Sequence, residues 1–525
     1  MTKKMKYCLA IVLLLQVFLI VYFGMQKSGF HVDEIYTYTL SNYEDGFVCD
    51  TEGVVEGWKS GEFYSAVLEV SREEAFSYNI PYVNQTGDVH PPLYYFIIHT
   101  VSSLVSGSFS KWIGISVNIF FNVLTTLVLF WVSKRIFKND VLAIFSTAVW
   151  ALSNGVIESG VFIRMYAMLT LFSVTLVGLH LKGFEELKVR GKLSMSTLGM
   201  MSVCTMCGVL TQYYYMVFCF FLCGFFALYL FYIKSWKNLM HYIASEIGAL
   251  LISVACFPYM LKHIFGGYRG EQAFQSVLEM QGYGGVLKSV ASIISNDLFN
   301  GLGEEIAVIL LIIYAMRAFC RKNKNTDIFN KHLVPIILAI ISICYTLVIA
   351  KIAPYQANRY YMCIYPLLVI VFVFELYHIF KLKRKGYRLL VVGIFSAAIT
   401  GSGCLLQDVD YLYQDCAMRV EQLKPYEGMP AIILNGIYEY GPDNWIHEYG
   451  NYEAVYRCEE YGELQGLSNA VTTHDVSNGF LMYAYGMSQT DEELLENIKE
   501  YIDIECFEKI TDIRCRVFFC TLKSE

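Results

Sequence analysis

Charge is what this sequence is short of. Of its 525 residues only 17% are charged, against 55% hydrophobic, whereas a soluble globular chain carries about a quarter charged residues. The mean hydropathy is +0.43. That deficit excludes an ordinary soluble domain. Runs of near-continuous apolar residues recur from the N-terminus to about residue 405, the pattern of an integral membrane protein with many spans. A cleavage site is missing too. MTKKMK followed by CLAIVLLLQVFLIVYF has the basic start and apolar core of a signal peptide, but no small-residue site follows, so the segment is expected to remain as the first span. No internal repeat is visible, and the C-terminal part has no glycine-rich phosphate loop.

What charge there is divides the chain. Residues 407–525 hold 23 acidic and 8 basic residues, while the rest holds 24 acidic and 32 basic. The basic residues of the first part sit in short clusters: KKMK (3–6), KRIFK (134–138), KGFEELKVRGK (182–192), KSWK (234–237), RAFCRKNK (317–324) and KLKRKGYR (381–388). Short basic loops stay on the cytoplasmic side. Spans are expected near 7–25, 112–132, 141–157, 166–181, 196–211, 213–233, 239–260, 303–316, 333–350, 360–380 and 389–405, about eleven crossings. With that set every basic cluster falls inside and the acidic tail outside. LYYFIIHTVSSLV is about 13 residues where a span needs about 20. It is expected to lie at the outer interface or re-enter, because a further crossing there would flip every later cluster.

The expected architecture is therefore an α-helical polytopic membrane part, 1–406, with an outer loop 27–92 leading into the interfacial segment 93–106. A small extracytoplasmic α/β domain follows at 407–525. In that tail AIILN (431–435), GFLMYAY (479–485) and CRVFFCTL (515–522) read as strands, and DEELLENIKEYI (491–502) reads as a helix with acids in its first turn. Alternation of this kind suggests a layered sheet.

Polar groups then collect at the expected outer turns: GFHVDEIYTYTL (29–40), DVHPPLYY (88–95), ESGVFIRMYAM (158–168), TQYYYM (211–216) and APYQANRYYMCIYP (353–366). Tyrosines at a boundary usually serve as interfacial anchors. The adjacent carboxylates Asp33 and Glu34 anchor nothing, and point to a base or a cation site. Two prolines after His90 keep His90 and Pro91 out of any helix, and Pro92 can open one. Arg164 and Arg359 suit a phosphate, because guanidinium binds it bidentately and keeps its charge.

The order Asp33-Glu34, His90-Pro91-Pro92-Leu93-Tyr94-Tyr95, Arg164-Met165-Tyr166-Ala167 and Thr211-Gln212-Tyr213-Tyr214 resembles that of bacterial GT-C fold membrane glycosyltransferases, the protein O-mannosyltransferase and aminoarabinose transferase group (glycosyltransferase family 39-like). The likeness covers about residues 1–260. Arg359-Tyr360-Tyr361 followed by Pro366 is similar to a later feature of the group. The resemblance implies transfer of a sugar from a polyprenyl-phosphate carrier to a hydroxyl acceptor on protein, lipid or cell-envelope glycan, outside the cytoplasm. It implies Asp33 as general base, with Glu34 orienting it or holding a cation. His90, Arg164, Tyr166, Arg359 and Tyr360 would hold the donor. No cofactor is expected, though a divalent metal stays open, and no nucleic acid partner is expected.

Other features have plainer readings. Cys204 and Cys207 form a C-x-x-C inside an apolar span. Asp408-Val409-Asp410 resembles a metal-binding pair but is more often a chance one. Asn84-Gln85-Thr86 is a sequon. Lys262, His263 and Arg269 lie in an outer loop, 261–302, that either closes over substrate or merely connects. Cys49, Cys416, Cys458, Cys506, Cys515 and Cys520 fall outside, where disulfides are permitted. The alternative function is a polytopic transporter or lipid-linked sugar flippase. That would want charges near the bilayer midplane or broken helices in repeated halves. An oligosaccharyltransferase-like enzyme would want a W-W-D type motif in the tail, where Asp443-Asn444-Trp445 is the nearest sequence.

Overall fold

The computed structural model describes residues 2–47, 57–278, 283–304, 306, 327–379, 384–406, 408–436, 442–458, 464 and 466–523. They form two compact units. The first comprises Met1–Phe23, Asp88–Tyr94 and Ile115–Val409, and the second Gly24–Gly87, Tyr95–Gly114 and Asp410–Glu525.

The first unit is helical. Among the described residues, six helices are long and apolar enough to cross a membrane: Lys3–Gln26, Lys111–Phe137, Tyr166–Arg190, Tyr215–Tyr232, Trp236–Cys256 and Leu333–Ile352. The expected straight span 141–157 is instead two helices, Asp140–Ala151 and Asn154–Val161, bent by 52°. At the break the hydroxyl of Ser153 turns back to donate to the Trp150 carbonyl, 2.7 Å. A seventh crossing follows if that pair is one span. Helices also occupy Met195–Val209, Tyr365–Ile379 and Lys385–Leu406. The expected span 303–316 falls almost wholly outside the described residues. Leu93–Leu104 is a helix of 12 residues, well short of the roughly 20 needed to cross.

Small and polar residues set the helix packing. A Cβ on Gly178 would lie 2.2 Å from the Trp131 ring, so only glycine lets these two helices approach so closely. Ser202 meets Ser245 at 2.6 Å, Thr205 donates to Glu246 at 2.7 Å, and His180 Nε2 meets the Tyr242 hydroxyl at 2.8 Å. Such side-chain bonds across helices replace the hydrophobic drive that lipid removes. Cys204 and Cys207 are free thiols, and the Cys204 thiol donates to the Phe172 carbonyl at 3.3 Å.

The second unit is built on a six-stranded sheet in the order β1-β3-β2-β4-β6-β5. The strands are β1 (Trp58–Ser60), β2 (Ala431–Asn435), β3 (Ala454–Arg457), β4 (Phe480–Tyr485), β5 (Ile504–Thr511) and β6 (Arg516–Leu522). Strand β2 runs parallel to both β3 and β4, while β1, β5 and β6 pair antiparallel. The three expected tail strands occur as β2, β4 and β6. The expected helix is Asp491–Lys499, started by a capping box between Thr490 and Glu493. The edge strand β1 was not expected. It comes from the loop after the first helix, with Trp58 opposite Tyr456. Thus the sheet unit takes in loop residues 24–87 and 95–114 as well as the tail. Cys416, Cys458, Cys506, Cys515 and Cys520 are not joined in disulfides, so the permitted bridges do not form among them. Cys49 lies outside the described residues.

Candidate active site

The first unit gathers five of the seven expected site residues. The chain enters the helix Leu93–Leu104 through the corner His90-Pro91-Pro92, and Pro92 stands just before the helix rather than in its first turn. The Leu93 amide donates to the Leu210 carbonyl at 3.1 Å. The Tyr94 hydroxyl donates to Asn118 at 2.9 Å, and the Asn118 amide in turn donates to the Phe162 carbonyl at 2.7 Å. Phe162 is two residues from Arg164, so this relay fixes the corner against the segment that carries Arg164. The result is direct contact: His90 Nε2 lies 3.1 Å from Arg164 Nη2. On the other side of the ring, His90 Nδ1 lies 3.0 Å from Asp88 Oδ2.

Arg359 reaches the same unit on a turn of 3-10 helix, Asn358–Tyr360. Its guanidinium lies 5.3 Å from the Phe162 ring centroid, 5.4 Å from that of Tyr355 and 5.5 Å from that of Tyr360. Aromatic faces attract a cation and favour the flat guanidinium over an ammonium. It also donates to the Tyr355 hydroxyl. Tyr360 meets Tyr166 at 6.4 Å and Tyr214 at 5.4 Å between centroids. Tyr166 stacks on Phe162 at 6.1 Å. Tyr166, Arg359 and Tyr360 thus cluster around Phe162, which stands two residues before Arg164, the partner of His90.

Electrostatics suit an anion there. Burial, and next the neighbouring Tyr166, push the Tyr360 hydroxyl well above its ordinary value. Burial and the Asp88 carboxylate do the same to Tyr213, whose oxygen lies 2.9 Å from His263 Nδ1. Both phenols stay protonated as potential donors. Glu158 is buried and accepts from Asn154 at 2.7 Å and from Asn358, the residue before Arg359. Asp88, Glu158, Tyr355 and Asn118 were not singled out from the sequence. Asp88 had a signal, standing two residues before His90 in a stretch that prolines keep out of a helix. Glu158 had only its spacing of four from Asn154, which puts them on one helical face.

Asp33 and Glu34 belong to the second unit, on the helix Val32–Asn42. Their side chains have different surroundings. Glu34 is wholly buried, 2.9 Å from Lys27 Nζ, and also accepts from the His31 amide at 2.8 Å. Lys27 donates further to the Tyr411 carbonyl at 2.6 Å. Burial lowers the Lys27 pKa although Glu34 opposes the shift. An ammonium thus stands where a cation held by Glu34 would be, and Glu34 fixes the helix start that carries Asp33. The Asp33 carboxylate is 29% exposed, and its amide donates to His31 Nδ1 at 3.0 Å. One turn on, the Tyr36 hydroxyl donates to Asp443 at 2.7 Å, and Asp443 also meets Arg457 at 3.2 Å. So the tail residue noted for its Asp-Asn-Trp sequence grips the Asp33 helix. Among the described residues, no three His, Cys, Asp or Glu side chains converge as metal ligands.

Neither a family model nor a curated protein matches the sequence. Solved structures do. ArnT from Cupriavidus metallidurans bound to undecaprenyl phosphate superposes with a TM-score of 0.52 at 9% identity, over 97% of each chain. The Archaeoglobus fulgidus oligosaccharyltransferase tethered to an acceptor peptide gives 0.40 at 12% identity, over 87% of this chain and 64% of that one. The Saccharomyces cerevisiae Pmt1-Pmt2 O-mannosyltransferase complex bound to the sugar donor gives 0.30 at 14%, over 57% and 37%. The ArnT match runs through nearly the whole of both chains. What it shows is the fold alone: a helical membrane-protein architecture of the GT-C type, the fold that the four motifs implied.

Proposed function

We propose that this chain is a membrane glycosyltransferase that moves a sugar from a polyprenyl-phosphate carrier to a hydroxyl acceptor on protein, lipid or cell-envelope glycan. The observation that carries the reading is the cluster of His90, Arg164 and Arg359 with Tyr166 and Tyr360, on a fold whose ArnT relative was solved with undecaprenyl phosphate bound. Two permanent cations and protonated phenols suit a phosphate.

In the reaction the acceptor oxygen bonds to the anomeric carbon as the bond from that carbon to the phosphate oxygen breaks. The electron pair leaves with a polyprenyl phosphate monoester. Its second pKa is about 6, so it departs as a stable anion, and no acid has to protonate it. Arg164 and Arg359 neutralise the charge that develops on it. The acceptor proton goes to a general base, and Asp33, whose carboxylate is partly exposed, is the residue suited to that. The active face is extracytoplasmic, which the basic loops and the acidic tail support.

The transporter reading draws on His180, Tyr242 and Glu246, buried polar groups within the apolar helices. One experiment separates the two. Membranes carrying the protein are offered a panel of labelled polyprenyl-phosphate sugars. Label leaving the carrier for a hydroxyl product supports transfer, whereas label that crosses still attached to its carrier sinks it.

A further inference from the structure

Asp88 belongs to none of the motifs that led to the site, yet its carboxylate ends a line of three groups. Asp88 Oδ2 lies 3.0 Å from His90 Nδ1, and His90 Nε2 lies 3.1 Å from Arg164 Nη2. Protons along this line can be placed by elimination. A guanidinium carries donors only and keeps its charge. Nε2 must therefore offer Arg164 its lone pair, and carries no proton. A neutral imidazole has one proton, which then sits on Nδ1 and points at Asp88. An ionised carboxylate is the stronger acceptor for it. Burial opposes ionisation, while the hydrogen bond with His90 and the positive charge of Arg164 favour the carboxylate. The prolines at 91 and 92 hold the backbone beneath the ring out of the helical region.

We propose that Asp88 is a positioning residue of the phosphate site: by keeping the proton of His90 on Nδ1 it makes Nε2 the acceptor that aims the Arg164 guanidinium. The inference rests on the polyprenyl-phosphate reading for what Arg164 binds, but not for the relay itself. A neutral ring links carboxylate and guanidinium, and Asp88 acts on the cation through that imidazole. If Asp88 becomes Asn, the amide can donate to Nδ1 as readily as accept from it, and nothing holds the proton in place. Partners at this remove from a ligand cost about 10–100-fold in affinity or activity when lost at metal-bound histidines, and a similar penalty is expected here.

The test has two arms. Protein labelled with ¹⁵N-histidine is studied by solid-state NMR in lipid bilayers, with His90→Gln identifying the His90 signals. Wild type should show His90 protonated on Nδ1, and Asp88→Asn should move proton occupancy towards Nε2. In the second arm, undecaprenyl phosphate binding is measured in detergent for wild type, Asp88→Asn, His90→Gln and the double variant. Gln can offer Arg164 an oxygen without a tautomer to be set. Asp88→Asn should thus weaken binding about 10–100-fold alone and add little beside His90→Gln. An Nδ1-protonated His90 that persists in Asp88→Asn overturns the relay. So do penalties that multiply in the double variant. Wild type that binds no undecaprenyl phosphate instead sinks the polyprenyl reading, while the NMR arm still decides the relay. Asp88→Asn is nearly isosteric, and a monodisperse elution profile separates lost positioning from misfolding.

Discussion

Asp33 and Glu34 are neighbours in the chain, and a helix turns consecutive side chains about 100° apart. One carboxylate is therefore buried against Lys27 while the other stays partly exposed. This separates their expected mutational effects. Asp33→Asn should lower turnover about 10²–10⁴-fold, since an amide cannot accept the proton, with undecaprenyl phosphate binding retained. Normal turnover would remove Asp33 as base. Lys27→Met should instead act on folding, because it leaves Glu34 as a buried charge without its ammonium, at about 3–5 kcal/mol. The double variant Lys27→Met with Glu34→Gln should recover most of that, as Gln still completes a capping box. Thermal unfolding of the three proteins in detergent checks this, and equal melting of single and double variants would contradict it. At the arginines the shape of the cation matters more than its charge. Arg164→Lys and Arg359→Lys should each keep the charge but lose the fork, at about 10²–10³ in turnover. Near-normal rates in both would take them out of the site.

At the scale of elements, the strand that periodicity could not find is β1. Three residues are too few for an alternation to register, and Trp58–Ser60 is a strand only because β3 offers it an edge. Its anchor is Trp58, which donates to the Ala470 carbonyl at 3.0 Å and stacks on His474 at 4.4 Å. Trp58 also packs against the sheet's hydrophobic core. Trp58→Ala in the full chain should destabilise this unit by about 3 kcal/mol and leave the edge of β3 open to pairing with other chains. Limited proteolysis should then cut the loop and tail faster than in wild type. An unchanged cleavage pattern would mean that β1 holds nothing. The bend between Asp140–Ala151 and Asn154–Val161 was equally hidden, because an apolar run shows its length but not a break within it. By contrast the strands β2, β4 and β6 and the helix Asp491–Lys499 were legible, since each carries its own local pattern.

For the whole molecule, orientation is the property the basic loops predict. With Ser108→Cys and Ile136→Cys in a background free of other accessible thiols, a membrane-impermeant reagent added outside should label position 108 and spare position 136. The reverse pattern would overturn the eleven-crossing arrangement. The sequence by itself determined that the chain is a polytopic membrane protein, that its tail is acidic, and that four motifs follow the order of the GT-C enzymes. Each of these is written in composition or local spacing, which survives without knowledge of contacts. Only the tertiary structure decided that Lys27 takes Glu34, that Asp443 grips Tyr36 and that Asp88 stands behind His90 and Arg164. Lys27–Glu34 and Asp88–His90 span short stretches, yet even they depend on burial and on which side of a turn each group faces. His90 and Arg164 are 74 positions apart, and Tyr36 and Asp443 are 407 apart. Partners that distant are chosen by packing, and no local pattern in the chain records the choice.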